Sequence, residues 1–244
     1  MQVLASDFDG TLLFNGKFRE NDLKKIKQFQ EKGHLFGLCS GRPFMGINNV
    51  CKGYLDFDFY ILCTGALVLN KNQEVIFKST ITKQILESFY KQYKDQYPIF
   101  IQANYKIYTF EKEGGEGIVR EYISSLDEVN GDIYGISMNA ITSENAAQVC
   151  QEIKTLFPEL MPHQNKEYID ITENGCSKGL GIKKIKEAFN ISTIAGIGDS
   201  YNDISMLETV DHSFTFHDSP ECIQEIVDHV VESVDEAIDI LLQL

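Results

Sequence analysis

The apolar positions begin as short continuous runs and then give way to stretches of helical period. Val3-Leu4-Ala5-Ser6 reads as a short buried strand. Residues 21–32 read as a helix, with Leu23, Ile26 and Phe29 on one face and Gly33 just beyond its end. Residues 35–39 predict a second strand, 45–55 a helix and 57–63 a third apolar run. The order β-α-β-α-β favours a parallel sheet with helices on both faces.

After Gly65 the pattern changes. Residues 66–69 and 74–77 flank Asn70-Lys71-Asn72-Gln73, a polar turn sequence that predicts a hairpin. From about residue 80 to 172 the elements are mixed: a helix over 81–93, strands over 99–104 and 107–110, and a helix over 117–126. A strand over 134–140, a helix over 144–157 opened by Ser143 and a strand over 168–171 complete this stretch. The α/β rhythm then returns, with a helix over 179–189, a strand over 193–197, a helix over 203–209, a short strand near Phe214 and a terminal helix over 234–242. The expectation is an α/β fold: a doubly wound parallel-sheet core formed by residues 1–79 and 175–244, interrupted by an α+β cap domain over 80–174.

Composition narrows the class. With 43% hydrophobic and 24% charged residues the chain has the balance of an ordinary globular protein, which sets aside disordered and coiled-coil readings. A formal net charge of -14 argues against nucleic acid as a partner, because duplex binding draws on clustered Lys and Arg. A small phosphorylated metabolite remains open to an acidic chain, provided that its site supplies a local cation. No run approaches 18 apolar residues and the N-terminus lacks a basic, apolar leader, so neither a membrane span nor export is expected, and the cytoplasm is the expected location. No obligate protein partner is indicated. The six cysteines stand singly and the five histidines form no metal-binding spacing, which predicts buried reduced thiols and no zinc site.

The chemistry concentrates in loops that leave strands. Asp7-Phe8-Asp9-Gly10-Thr11-Leu12 directly follows the first strand, where open α/β sheets bind their ligands. Gly198-Asp199-Ser200-Tyr201-Asn202-Asp203 follows the apolar run Ile194-Ala195-Gly196-Ile197 in the same way. Asp7, Asp199 and a carbonyl of the first loop are the kind of oxygen ligands that Mg2+ takes alongside substrate phosphate and water. Between the two acidic loops lie Ser40-Gly41-Arg42, ending a strand, and Cys176-Ser177-Lys178-Gly179, opening a helix. A hydroxyl, a backbone N–H near Gly41, a lysine and a helix N-terminus are donors suited to a tetrahedral phosphate.

These motifs, in this order, resemble those of the haloacid dehalogenase superfamily, and specifically its Cof-type, subfamily IIB phosphatases. The resemblance implies a Rossmann-like core, Mg2+ as cofactor and Asp7 as a nucleophile that forms an aspartyl-phosphate. It implies that Asp9 is the acid and then the base, that Ser40, Gly41, Lys178 and Asn202 bind phosphate, and that Asp7, Asp9, Asp199 and Asp203 form the metal site. The acid at position 9 favours a phosphatase or phosphomutase, and the resemblance implies a phosphatase acting on small phosphomonoesters, sugar phosphates first among them. A sugar phosphomutase and a phosphate-binding regulatory protein are the alternatives. Asn104, Tyr105, Tyr108, His163, Gln164 and Tyr168 are the polar and aromatic candidates of the cap, and none stands out as a determinant of specificity. Thr64 replaces the Asn common in such proteins, and Asp218-Ser219 replaces an Asn-Ala pair; both loops are expected beside the site.

Overall fold

The computed structural model describes residues 1–111 and 120–244. Its larger sheet has eight strands, ordered His229–Val231, His212–Phe216, Ala195–Ile197, Val3–Ser6, Leu35–Cys39, Phe59–Leu62, Leu67–Asn70 and Val75–Lys78. The first six run parallel and the last two add on as an antiparallel hairpin. Val3–Ser6 lies near the middle and is wholly buried, which explains its continuous apolar run.

Helices cover both faces. Ile26 and Phe29 of Glu20–Glu31, Ile47 and Cys51 of Phe44–Cys51, and Ala237, Ile238 and Leu241 of Val234–Leu241 pack in one cluster with Leu4 and Phe36. Ile182 and Ile185 of Lys178–Phe189, with Met206 and Leu207, form the opposite cluster with Val3, Ala5 and Ile61. The hairpin forms because Asn70 Oδ1 accepts the backbone N–H groups of Asn72 and Glu74 at 2.9 and 3.0 Å, bending the chain at the turn sequence.

The second sheet has six strands, ordered Arg120–Tyr122, Lys106–Thr109, Ile99–Ala103, Ile133–Asn139, Tyr168–Glu173 and Leu160–Asn165. Lys83–Tyr93 and Ser143–Leu156 cover one face through Leu86, Phe89, Val149 and Ile153. The other face, carrying Gln102, Ser137 and Asp170, looks toward the first sheet's strand ends.

Several elements differ from expectation. The helix expected over 117–126 falls partly outside the described residues; within them, Arg120–Tyr122 is a strand paired with Lys106–Thr109, followed by a single turn at Leu126–Glu128. Ser125 and Glu128 form a reciprocal cap there, a local start signal that divides the segment. Leu160–Asn165 is a strand that sequence reasoning missed, because Pro162 and polar neighbours disguise it. It lies at the sheet edge, where proline is tolerated. Thr142, and not Ser143, caps the second cap helix by accepting the N–H of Asn145. The short strand His229–Val231 and the turn of helix Glu221–Gln224 were too brief to leave a pattern. The helix expected over 45–55 stops at Cys51, and that expected over 203–209 spans Ile204–Leu207.

One buried acid ties the two ends of the core together. Asp22 Oδ1 accepts the N–H of Asp235 at 2.9 Å, at the start of the terminal helix, while Oδ2 is enclosed without a partner. Burial pushes its pKa up to about 6. Because the folded value is raised, the folded state holds a proton that the unfolded chain releases, so the destabilisation is absent below about pH 4 and complete above about pH 6. Asp22→Asn keeps the acceptor and removes the charge. Thermal unfolding is expected to show a midpoint raised by roughly 4 °C at pH 7.5 and no gain at pH 4; a gain independent of pH would contradict the assignment.

Candidate active site

The site forms where neighbouring strands end. Val3–Ser6 lies between Leu35–Cys39 and Ala195–Ile197, so Asp7, Ser40 and the Gly198-Asp199 loop emerge at one edge. The Asp7 N–H donates to Ile197 O at 2.9 Å, extending the ladder to the site itself. Lys178 opens its helix after Ser177, whose hydroxyl accepts the Leu180 N–H at 3.1 Å. This capping fixes where the lysine begins.

Lys178 is fully buried, and its Nζ donates to Asp7 Oδ1 at 2.5 Å and to Asp203 Oδ1 at 2.6 Å. The other oxygen of Asp203 accepts the N–H groups of Asp199 and Ser200, each at 3.1 Å. Thr11 Oγ1 donates to Asp199 Oδ1 at 3.1 Å. Carboxylate oxygens of Asp7, Asp199 and Asp203 thus lie within 4.8 Å of one another. Gly10 permits this closeness: its φ of +88° suits glycine, and a Cβ there would lie 2.6 Å from Asp199 Oδ2.

Three carboxylates face one ammonium, and the titrations register the imbalance. Burial, then the Asp203 carboxylate, raises the Asp7 pKa well above its ordinary range against the pull of Lys178. Burial, again followed by Asp203, pushes Asp199 up to about 6. Burial alone would lower Lys178, but the Asp203 and Asp7 carboxylates outweigh it and hold the ammonium well above its usual value. A bare carboxylate cluster of this kind, without histidine or cysteine, fits a hard divalent cation.

The Asp9 carboxylate stands apart from the cluster. Arg42 grips it with two bonds, Nε to Oδ2 at 2.7 Å and Nη2 to Oδ1 at 2.6 Å, and anchors itself by donating to Gly46 O at 3.3 Å. Sequence reasoning recorded Arg42 in Ser40-Gly41-Arg42 but gave it no task, since one sequence does not show which acid a surface-type arginine meets. Ser40 is buried, and its Oγ accepts the Arg42 N–H at 3.2 Å. Asp7, Asp9, Ser40, Gly41, Asp199 and Asn202 all line one cavity of about 860 Å³, whose roof is the open face of the second sheet.

Of the cap candidates, Tyr168 lines this cavity. Tyr105 packs between Phe44 and Tyr134, Tyr108 is buried among cap residues, His163 contacts Thr172, Gln164 bonds to Ser143, and Asn104 is exposed. Thr64 sits near the site with its hydroxyl 3.5 Å from Asp170. Its φ of 54° is unusual for a β-branched residue and is where asparagine would be at ease. Ser219 does not reach the cavity; it bonds to Thr215 Oγ1 at 2.9 Å, and Thr215 in turn donates to Gly198 O at 2.7 Å, so it backs the acidic loop from behind.

Comparison with known proteins shows the family. The chain matches the haloacid dehalogenase-like hydrolase family over residues 4–239, nearly its whole length. It therefore belongs to that family and is a hydrolytic enzyme. Among its relatives, YkrA of Bacillus subtilis (strain 168), provisionally named a phosphatase, is 26% identical over 249 residues, covering 96% of this chain and 93% of YkrA. A haloacid dehalogenase-like hydrolase structure from B. subtilis superposes with a TM-score of 0.88 at 20% identity, covering all of both chains. The subclass IIB sugar phosphatase BT4131 superposes with a TM-score of 0.82 at 23% identity, covering 100% of this chain and 98% of that one. These structures share the fold. In addition, no helix among the described residues is long and apolar enough to cross a membrane.

Proposed function

We propose that the protein hydrolyses small phosphomonoesters, sugar phosphates foremost, through an aspartyl-phosphate formed on Asp7. The observation that carries this reading is the buried Asp7 carboxylate at the floor of the cavity, held from behind by the fully buried Lys178, with carboxylate oxygens of Asp199 and Asp203 within 4.8 Å. Phosphoryl transfer needs in-line positioning and charge neutralisation, and the residues here are suited to both.

A carboxylate oxygen of Asp7 attacks phosphorus while the bond to the leaving oxygen breaks, and Asp9 gives that oxygen its proton. Asp9, now a carboxylate, takes a proton from water as the water attacks phosphorus and releases Asp7 and inorganic phosphate. To reach the leaving oxygen, Asp9 must turn out of the Arg42 fork. Lys178, Ser40, the backbone at Gly41 and Asn202 bind the transferring oxygens. Mg2+, held by Asp7, Asp199 and Asp203 with a carbonyl of the Asp9 loop, would neutralise charge between the nucleophile and the phosphate. Residues 80–174 act as the cap that closes over the substrate and shields it from bulk water.

Phosphate release from a panel of sugar phosphates and p-nitrophenyl phosphate tests the reading. Turnover with Mg2+ that stops with a chelator is expected, and silence across the whole panel would overturn it. A second test reads binding alone. Mg2+ at about a hundred times its Kd is expected to raise the thermal midpoint of the wild type by roughly 5 °C or more, and Asp199→Asn to remove most of that shift. An undiminished shift in Asp199→Asn would place the cation elsewhere.

A further inference from the structure

The roof of the cavity carries polar groups for which the phosphate chemistry has no use. Gln102, Ser137 and Asp170 stand on three adjacent strands and form a relay: the Gln102 amide donates to Ser137 Oγ at 2.9 Å, and Ser137 donates to Asp170 Oδ1 at 2.6 Å. One end of the relay meets the reaction centre, since a Cβ on Gly41, next to Ser40, would lie 2.6 Å from Asp170 Oδ2. The other end is Gln102, only 5% exposed, whose Oε1 is enclosed with no hydrogen-bond partner.

Beyond Gln102 lies a cation. The Arg120 guanidinium sits over the Phe100 ring, 4.5 Å from its centroid, and its Nε is likewise enclosed without a partner. Among the described residues no carboxylate pairs with it. Only three enclosed side-chain atoms among the described residues lack partners, and two of them lie on this one sheet face. Such atoms cost about 1–3 kcal/mol each when left unpaired, so their concentration at a cavity marks a surface that something else completes. Arg120 also places a cation in the roof of a chain whose net charge is -14. That is a local device for drawing in an anion.

The spacing gives the ligand a length. Phe100, under the guanidinium, and Asp170, at the reaction end, are two strand spacings or about 10 Å apart. This is close to the span of an extended six-carbon chain with a charged group at each end. Resting on the phosphatase reading above, we infer that the roof selects a polyhydroxylated leaving group that bears its own anion, a carboxylate or a second phosphate, remote from the scissile phosphate. Arg120 takes the anion, and Gln102 and Asp170 take hydroxyl groups along the chain.

The test compares substrates that differ only at the far end. Gluconate 6-phosphate against glucitol 6-phosphate exchanges a carboxylate for a hydroxymethyl group, and fructose 1,6-bisphosphate against fructose 6-phosphate adds a phosphate. Wild type is expected to prefer the doubly anionic member of at least one pair by about tenfold or more in kcat/KM. Arg120→Ala is expected to bring that ratio near one, and Arg120→Lys to retain part of it. The pair that responds identifies the anion. A wild-type ratio near or below one in both pairs, or a preference that survives Arg120→Ala, overturns the inference. If no phosphomonoester is turned over, p-nitrophenyl phosphate included, the phosphatase reading has failed and the subsite is decided by calorimetry. Gluconate 6-phosphate or fructose 1,6-bisphosphate should then bind wild type at least about tenfold tighter than Arg120→Ala, and equal or absent binding of both overturns the inference as well.

Discussion

Asp7→Asn is expected to lower phosphate release by about three orders of magnitude or more while leaving the protein folded. The substitution is nearly isosteric, and it removes the charge that makes oxygen a nucleophile. Folding should survive it, because the wild-type carboxylate is itself an awkward group to bury: burial and the Asp203 carboxylate both raise its pKa. Lys178 keeps its bond to Asp203 in the variant. The urea midpoint of unfolding is therefore expected to hold or rise. A variant that turns over within tenfold of wild type would remove Asp7 from the mechanism, whereas loss of turnover accompanied by unfolding would show that its role is structural.

Lys178→Met is expected to have the larger effect on the fold. The ammonium is wholly buried and bonds two carboxylates, and methionine, one atom shorter, keeps the unbranched stem without the charge. Removing one partner from a buried ion group leaves the others uncompensated, a loss of about 3–5 kcal/mol. On the proposed mechanism turnover should fall by two orders of magnitude or more, because the reacting Asp7 carboxylate and the phosphate it attacks lose the cation behind them. The pH dependence has a definite sign. The raised Asp7 carboxyl will be raised further without the lysine, so the penalty is fully present above its folded pKa and fades as acid protonates it. The stability deficit should therefore be smaller at pH 4.5 than at pH 8. Asp7→Asn combined with Lys178→Met should recover part of the deficit, since the two groups interact directly. A deficit below about 1 kcal/mol at pH 8 would mean that the cluster tolerates its own repulsion by other means.

Much of this was legible in residues alone, for physical reasons that differ between regions. The core strands are short apolar runs because both faces of a parallel sheet are covered, and the acids sit where those runs end. Asp7, Ser40, Lys178 and Asp199 could be read as one site because each follows or opens an element whose period is strong. Arg42 and Arg120 could not. An arginine's reach spans several ångströms of alternatives, and nothing in Ser-Gly-Arg or Arg-Glu-Tyr says which acid or ring it meets. The cap relay escaped for another reason. Gln102, Ser137 and Asp170 each stand alone in a strand of mixed character, and only sheet order places them side by side. The strand Leu160–Asn165 was hidden by Pro162, whose missing donor matters little at an edge.

The path by which the chain returns from the second sheet to the first constrains what the protein can become. Only Asn174-Gly175-Cys176-Ser177 separate the last strand of the cap sheet from Lys178, and Gly65 leaves no room for a Cβ against the Ser177 carbonyl, which would lie 2.0 Å away. An added or deleted residue in that joint shifts the lysine along its helix and away from Asp7. The turn at Lys166 and Glu167, between the edge strand Leu160–Asn165 and its neighbour Tyr168–Glu173, holds no residue of the buried cluster. Length variation across descendants of this sequence should therefore collect at the rim of the roof and avoid the joint, so that new specificities arise without re-inventing the floor.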